Sequence, residues 1–154
     1  AFGLSGSFGP VAIGLGLNTG RACVGNMGSQ DLFNYSVIGD VVNTASRVES
    51  MSKPFGFDIL VADVVAEAAP ELAFLEVDAI RLRGREQATG LFALVGGTDL
   101  AATEAFREIA SRHAAMRSAL ARGETSAALE ALEACRALAP AVLPRLVRLY
   151  DRQE

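Results

Sequence analysis

The chain changes character at Gly96-Gly97, and this change constrains its fold more than any other feature. Before that pair, short strand-like and helix-like stretches alternate. After it, the chain is rich in alanine, arginine and glutamate, with apolar residues three and four positions apart, as in amphipathic helices. Hairpin-length connections dominate the first part and favour antiparallel pairing. We therefore predict an α/β (α+β) domain with a mainly antiparallel sheet over residues 1–97, followed by a small α-helical tail over 98–154.

Six strands and two helices are predicted in the first part. Thr19-Gly20 is a turn signal between the first two strands, and a loop is expected over 27–34. Asp40 is expected to be the N-cap of the first helix, and Asp63 to begin the second, which ends near Pro70. The strands are predicted over residues 11–18, 21–26, 35–38, 57–62, 74–82 and 90–95, the last two as an antiparallel pair.

The tail is predicted to hold three helices, beginning near Ala101. Gly123 should break the first helix, and Pro140 should start the third. The only histidine, His113, falls on the apolar face of the first helix and is expected to border the helix packing. The tail could form one helical hairpin of the tetratricopeptide (TPR) type, although one unit is not a repeat array.

Composition excludes several classes of function. A net charge of −4 disfavours broad nucleic-acid binding. One histidine and two distant cysteines give little material for a zinc site, and we expect Cys23 and Cys135 to be reduced and buried in a cytoplasmic protein. No apolar run approaches the roughly 18 residues of a membrane span, so a membrane link is expected only through a preceding segment.

Residues 34–49, which read NYSVIGDVVNTASRVE, are the most informative stretch. Asn43 and Arg47 are four residues apart, so they share a face of the predicted helix. An amide and a guanidinium near the positive end of a helix suit a phosphorylated ligand. The alternative is that Asn43 helps to cap the helix and Arg47 is a solvated charge. A dinucleotide-binding interpretation of the glycines at 14–20 fails, because their spacing is wrong and a strand follows them.

Taken together, five motifs resemble the class III adenylate and guanylate cyclase catalytic domain, in its order and approximate spacing. The resemblance covers roughly residues 10–96 and implies a partial ferredoxin-like fold. It also implies the conversion of ATP to cyclic AMP and diphosphate in intracellular signalling. The tail looks like the extension that follows the domain in some bacterial, membrane-anchored members. The motifs are IGLGLNTG, VGNMGS, NYSVIGDVVNTASRVES, ILVAD and LRGR.

The resemblance implies roles for five residues. Asn43 would orient the ribose, and Arg47 would stabilise charge on the α-phosphate in the transition state. Ser36 occupies the place of an adenine-reading residue, which favours ATP over GTP. Arg83 lies where relatives often have a lysine near the β- and γ-phosphates, and Arg85 is a second phosphate-binding candidate.

The chain departs from the family pattern at the metal site. Class III cyclases hold two Mg²⁺ or Mn²⁺ ions with two aspartates from the first half of the domain. The segments that carry those aspartates have no counterpart here, so no metal ligand is assigned to this chain. Family members work as head-to-tail dimers in which each chain completes its partner's site. The resemblance thus implies a homodimer in which this chain supplies the transition-state half.

Two alternatives stay open at this point. The chain could be a catalytically inactive cyclase-homology module that serves dimerisation or regulation, or the helical tail could be a partner-binding element. Under the cyclase hypothesis, we expect residues 1–154 alone to be inactive, because the metal-binding aspartates must come from elsewhere.

Overall fold

The computed structural model describes residues 13–29, 32–81, 88–142 and 144–151, and that part holds six strands and six helices. The predicted α/β class, with a mainly antiparallel sheet and a helical tail, is confirmed. The strands are β1 (Leu15–Leu17), β2 (Cys23–Ser29), β3 (Leu32–Ile38), β4 (Ile59–Ala62), β5 (Ala73–Ile80) and β6 (Thr89–Gly96). The helices are α1 (Asp40–Phe55), α2 (Asp63–Ala68), α3 (Thr98–Ala101), α4 (Glu104–Arg122), α5 (Thr125–Val142) and α6 (Pro144–Tyr150).

The strands form a four-stranded sheet in the order β1-β4-β6-β5 and a separate two-stranded sheet of β2 and β3. The β4–β6 and β5–β6 pairs are antiparallel, as predicted for the latter, whereas β1 and β4 are parallel. The predicted turn at Thr19-Gly20 therefore does not join paired strands. A parallel pair needs a long crossover, and the β2–β3 hairpin and α1 supply it.

The predicted loop over residues 27–34 is wrong for residues 27–29 and 32–34, which belong to strands, while residues 30 and 31 lie outside the described residues. The β2–β3 ladder continues without a register shift from the Cys23–Ile38 pair to the Ser29–Leu32 pair. Gly28, Ser29 and Asn34 are common in turns, which is why the sequence suggested a loop. Small and polar residues can extend this ladder because the described side chains of the hairpin are largely exposed and need little packing.

Gly14 and Gly16 allow α1 to lie directly against β1. A Cβ atom on Gly16 would stand 2.2 Å from the backbone nitrogen of Glu49, and one on Gly14 would stand 2.1 Å from Oγ of Ser52. Both distances are shorter than any tolerable contact. Close packing of strand and helix therefore explains these glycines, in agreement with the rejection of a dinucleotide-binding loop.

The tail differs from prediction in the position of its last break. Gly123 ends α4, as predicted, and its backbone there is in the left-handed conformation (φ 72°). Pro140, however, lies inside α5, and Pro144 is the first residue of α6. The first position of a helix suits proline because its missing N–H would have no partner there.

Sheet and tail share one hydrophobic core. It joins buried residues of β4, β5 and β6 to buried residues of α4, α5 and α6. The predicted boundary at residues 97 and 98 marks a change of secondary structure, and whether it also separates two folding units stays a prediction. The core residues with no more than 1% exposure are Val48, Leu60, Ala62, Ala73, Leu91, Ala93, Ile109, Met116, Cys135, Ala139, Leu146 and Tyr150.

Candidate functional site

The start of α1 is set by Gly39 rather than by an aspartate cap. Gly39 is the N-cap, with φ 148° and ψ 160°, a conformation that side chains other than hydrogen rarely permit. Its carbonyl oxygen accepts hydrogen bonds from the backbone nitrogens of Val42 (3.1 Å) and Asn43 (3.3 Å). No side chain caps this end, so the predictions that Asp40 caps it and that Asn43 could aid the cap are wrong. Asp40 is instead the first helical residue.

Asn43 and Arg47 lie on the exposed face of α1, in its first and second turns. An adjacent face, about 100° round the helix, is buried against the sheet through Thr44, Val48 and Ser52 at a spacing of four. In the described part of the chain, neither Asn43 nor Arg47 has a side-chain hydrogen bond or ion pair. The shared face predicted from their spacing is therefore present, with an amide and a guanidinium open to a ligand.

Ser36 lies on β3, four residues before α1 begins. It is exposed, and its register partner on β2 is Gly25, which brings no side chain to the pair. Strand alternation places its side chain on the face of the hairpin that also carries those of Asn34 and Ile38. The hydroxyl is thus accessible, and it reaches solvent from the strand that leads directly into the helix of Asn43 and Arg47.

Arg83 and Arg85, the two predicted phosphate contacts, lie outside the described residues. The strands on either side of them are described. The last register pair of β5 and β6 joins Ile80 to Thr89, so residues 81–88 connect two antiparallel neighbours. The roles of both arginines stay predictions.

The described residues show no cluster of metal-binding side chains. They contain no group of three or more histidine, cysteine, aspartate or glutamate side chains that could hold a metal ion. Asp63 is committed to the fold, because its carboxylate accepts hydrogen bonds from the backbone nitrogens of Val64 (2.8 Å) and Gly90 (3.0 Å). These bonds join the start of α2 to β6.

Two sequence expectations about single side chains have different outcomes. Cys135 is buried, but Cys23 is exposed on β2, so the prediction of two buried thiols is wrong for Cys23. His113 is buried in the helix packing, as expected, and it also contacts Tyr150 and the backbone of Glu76. No local pattern predicts these partners, because each lies 37 residues away along the chain.

Comparison with known proteins places the chain among cyclases. The family model described as "Adenylate and Guanylate cyclase catalytic domain" matches residues 5–95. Adenylate cyclase 1 of Rhizobium meliloti (strain 1021) is 35% identical over 82 residues, which cover 53% of this chain and 12% of that protein. Adenylate cyclase of Anabaena cylindrica is 29% identical over 86 residues, which cover 53% and 17%. The matched region is therefore a small part of each relative.

Among solved structures, a bacterial light-regulated adenylyl cyclase is similar over 53% of this chain and 23% of its own, with 24% identity and a TM-score of 0.47. No helix in the described residues is long and apolar enough to cross a membrane. The family match spans more than half of the chain and includes α1 with its exposed Asn43 and Arg47. This chain belongs to the adenylate and guanylate cyclase catalytic domain family.

Proposed function

We propose that this chain supplies the transition-state half of an adenylate cyclase site, which converts ATP to cyclic AMP and diphosphate for intracellular signalling. One observation carries the proposal. Asn43 and Arg47 project from the same exposed face of α1, within two turns of its N-terminus. In the described part of the chain, neither side chain has a hydrogen bond or ion pair, so both are open to a ligand. Two relatives of the chain are named adenylate cyclase, and this supports the choice of reaction.

The physics of the helix end fits that role. The first turn of a helix carries a partial positive charge and unpaired N–H groups, which favour a phosphate nearby. In our proposal, the guanidinium of Arg47 stabilises the charge that grows on the α-phosphate, and the amide of Asn43 orients the ribose. A guanidinium suits this because it keeps its charge and donates hydrogen bonds in a planar fork. Ser36 would contact the adenine edge, and Arg83 and Arg85 the outer phosphates.

The metal chemistry must come from outside the described residues. When bound, two Mg²⁺ or Mn²⁺ ions would polarise the 3′-hydroxyl and bind the triphosphate. Because the described acidic residues offer no place for them, the proposed active unit is a dimer of cyclase domains. A metal-binding domain contributes aspartates to one side of the site, and this chain contributes Asn43 and Arg47 to the other. We place this unit in the cytoplasm, where ATP is available.

Complementation tests the proposal. The partner is a related cyclase catalytic domain that keeps its metal-binding aspartates but has alanine in place of its own asparagine and arginine. Mixed with this chain, ATP and Mn²⁺, it should produce cyclic AMP, measured by mass spectrometry, whereas either protein alone should not. Arg47→Ala in this chain should lower the rate about 10²- to 10³-fold, the usual cost of losing a transition-state donor.

Arg112→Ala is the matched control, because Arg112 is an exposed arginine on α4, with 55% of its side chain accessible, far along the chain from α1. The mixture that contains this variant should form cyclic AMP at the same rate as the mixture with the unsubstituted chain. If the two proteins associate without forming product, or if Arg47→Ala leaves the rate unchanged, the transition-state role is wrong. Association without product would instead support an inactive dimerisation or regulatory module. GTP in place of ATP tests the base preference assigned to Ser36.

A further inference from the structure

A chain of buried polar groups connects the helical tail to the edge strand β5. His113 on α4 is 3% exposed, and its Nδ1 lies 3.1 Å from the hydroxyl of Tyr150 on α6. Its Nε2 is hydrogen-bonded to the backbone oxygen of Glu76 on β5. The buried thiol of Cys135 on α5 lies close enough to this hydroxyl for each group to influence the pKa of the other. The imidazole thus joins α4 and α6 to the sheet, and Cys135 brings α5 to the same cluster.

The partners fix where each proton sits. A backbone carbonyl can only accept, so Nε2 of His113 must carry the hydrogen in this bond. In the neutral ring, Nδ1 then has only a lone pair, and the hydroxyl of Tyr150 donates to it. Donors therefore point in one direction, from Tyr150 to His113 and from the ring onward to Glu76.

The contact with the sheet falls at an irregularity of β5. Glu76 pairs with Phe92 and Asp78 pairs with Leu91, so one extra residue, Val77, interrupts the ladder between them. A bulge of this kind takes backbone groups out of regular pairing. The N–H of His113 gives the carbonyl of Glu76 a partner at that place. The tail is thus attached where the strand's own hydrogen bonding is least regular.

Two charged groups near the imidazole have opposite effects on its protonation. Arg117 on α4 disfavours a charge on His113, and the carboxylate of Glu76, 3.4 Å from Nη2 of Arg117, favours it. Burial is the largest influence and lowers the pKa of His113, while burial raises the pKa of Tyr150 and of Cys135. All three groups are therefore neutral near pH 7.

Two arginines act on the neighbours of the ring. On α5, Arg136 donates through Nη2 to the backbone oxygen of Tyr150 at 3.2 Å. Arg112 on α4 opposes the burial effect on Cys135. Neither the Arg136 hydrogen bond nor the Arg112 charge depends on the protonation of His113. The imidazole, whose ordinary pKa is 6.5, is therefore the group of this cluster that is expected to take up a proton when the latch opens.

We propose that His113 is a proton-sensitive latch between the helical tail and the sheet, and that its protonation releases α6. A proton on Nδ1 turns that atom into a donor that faces the hydrogen of the Tyr150 hydroxyl. The hydroxyl must then turn towards the sulfur of Cys135, which is a weak acceptor. The imidazolium would also be buried, at a cost that the partly screened carboxylate of Glu76 does not offset. Release of α6 removes both the conflict between the two hydrogens and the burial of the charged ring.

The sign of the pH effect follows from the lowered pKa. The closed latch favours the neutral ring, so closure is fully stable above the ordinary histidine pKa of 6.5. As pH falls below that value, the open form takes up a proton that the closed form does not. The open population then rises, by at most about tenfold per pH unit for one proton. It levels off below the lowered pKa of the closed form.

Labelling of Cys135 measures the opening. Cys23→Ser leaves Cys135, which has 0% exposure, as the single thiol. Its rate with 4,4′-dithiodipyridine, divided by the rate of the same chain unfolded in urea at the same pH, reports the open population when closing is fast. Between about pH 7.5 and pH 5.5, this ratio should rise about tenfold. His113→Gln, whose amide can still donate to Glu76 but does not titrate, should give a ratio that is independent of pH.

Tyr150→Phe is a second variant that keeps the ring and removes only the hydroxyl. It should raise the ratio at neutral pH and shrink the acid-induced rise, because the neutral ring has already lost its donor. Amide exchange at pH 5.5 should increase in α6 while β4 and β6 stay protected. The latch is wrong if the unsubstituted histidine gives no rise, or if His113→Gln gives the same rise. Equal loss of protection in the sheet also overturns it, since that means general unfolding.

Discussion

At the scale of single residues, position on an element decides which side chains can act on a ligand. Asn43 and Arg47 are exposed on α1, while Thr44 and Val48, each one residue further along, are buried against the sheet. The buried pair is held partly by packing and partly by the hydroxyl of Thr44, which donates to the backbone oxygen of Asp40 at 2.8 Å. The face of the helix that can meet a nucleotide is therefore fixed by residues that never touch it.

Gly16 is the residue on which the contact between β1 and α1 depends most directly. In Gly16→Ala, the new methyl group would meet the backbone nitrogen of Glu49 at 2.2 Å, and backbone atoms cannot move aside as a flexible side chain can. We expect the free energy of unfolding to fall by about 1–3 kcal/mol, the usual cost of overpacking. Urea denaturation followed by circular dichroism measures it.

Gly25→Ala provides the comparison, because a Cβ atom there would meet nothing within 4 Å. That variant should be neutral or more stable by up to about 1 kcal/mol, through the smaller entropy of its unfolded chain. Equal losses in both variants would contradict the packing role of Gly16 and would point to a general intolerance of alanine in these strands.

At the scale of elements, α1 is the part that carries the candidate site, and its entry angle comes from Gly39. The conformation of Gly39 (φ 148°, ψ 160°) belongs almost only to glycine. In Gly39→Ala, we expect a loss of about 1–3 kcal/mol in the free energy of unfolding. We also expect loss of cyclic AMP formation in the complementation mixture, because the first turn must move to relieve the strain and Asn43 moves with it.

Gly97→Ala is the matched substitution, since Gly97 is also an N-cap glycine but has φ −82° and free space around its α-carbon. It should change the free energy of unfolding by no more than about 0.5–1 kcal/mol and keep product formation. Should Gly39→Ala retain full product formation, the orientation of α1 would not depend on this glycine.

The sequence could predict those elements whose residue pattern is regular and whose packing or pairing partner lies close by along the chain. The apolar spacing of α1 and the alternation in β5 and β6 were enough to find them. The parallel pairing of β1 with β4 was not predictable, because nothing near Leu15–Leu17 specifies a partner beyond the next helix. At the site, the shared face of Asn43 and Arg47 follows from a spacing of four. The cap by Gly39 depends on its backbone angles, and the contact of His113 with Tyr150 depends on tertiary packing. Neither feature could therefore be predicted from the sequence.

At the scale of the whole molecule, the helical tail and the sheet depend on each other for burial. Buried residues of α4, α5 and α6 belong to the same hydrophobic core as those of β4, β5 and β6. The ion pair of Arg117 with Glu76 and the hydrogen bond of His113 to the backbone of Glu76 add polar links between α4 and β5. A perturbation in α4 or α5 should therefore be felt in the sheet.

Leu132→Ala tests this dependence, with Leu129→Ala on the same helix as its control. Leu132 is 4% exposed and belongs to the core, whereas Leu129 is 54% exposed. Removing the buried side chain should cost about 2–5 kcal/mol, against about 0.5 kcal/mol for the exposed one. In Leu132→Ala, amide exchange of β6 should accelerate as much as that of α5, since the core that α4 and α5 share with the sheet unfolds as one unit, whereas α6 can open alone. If exchange accelerates in the tail and not in β6, the boundary at residues 97 and 98 separates two folding units, and the tail is an appendage of the cyclase domain.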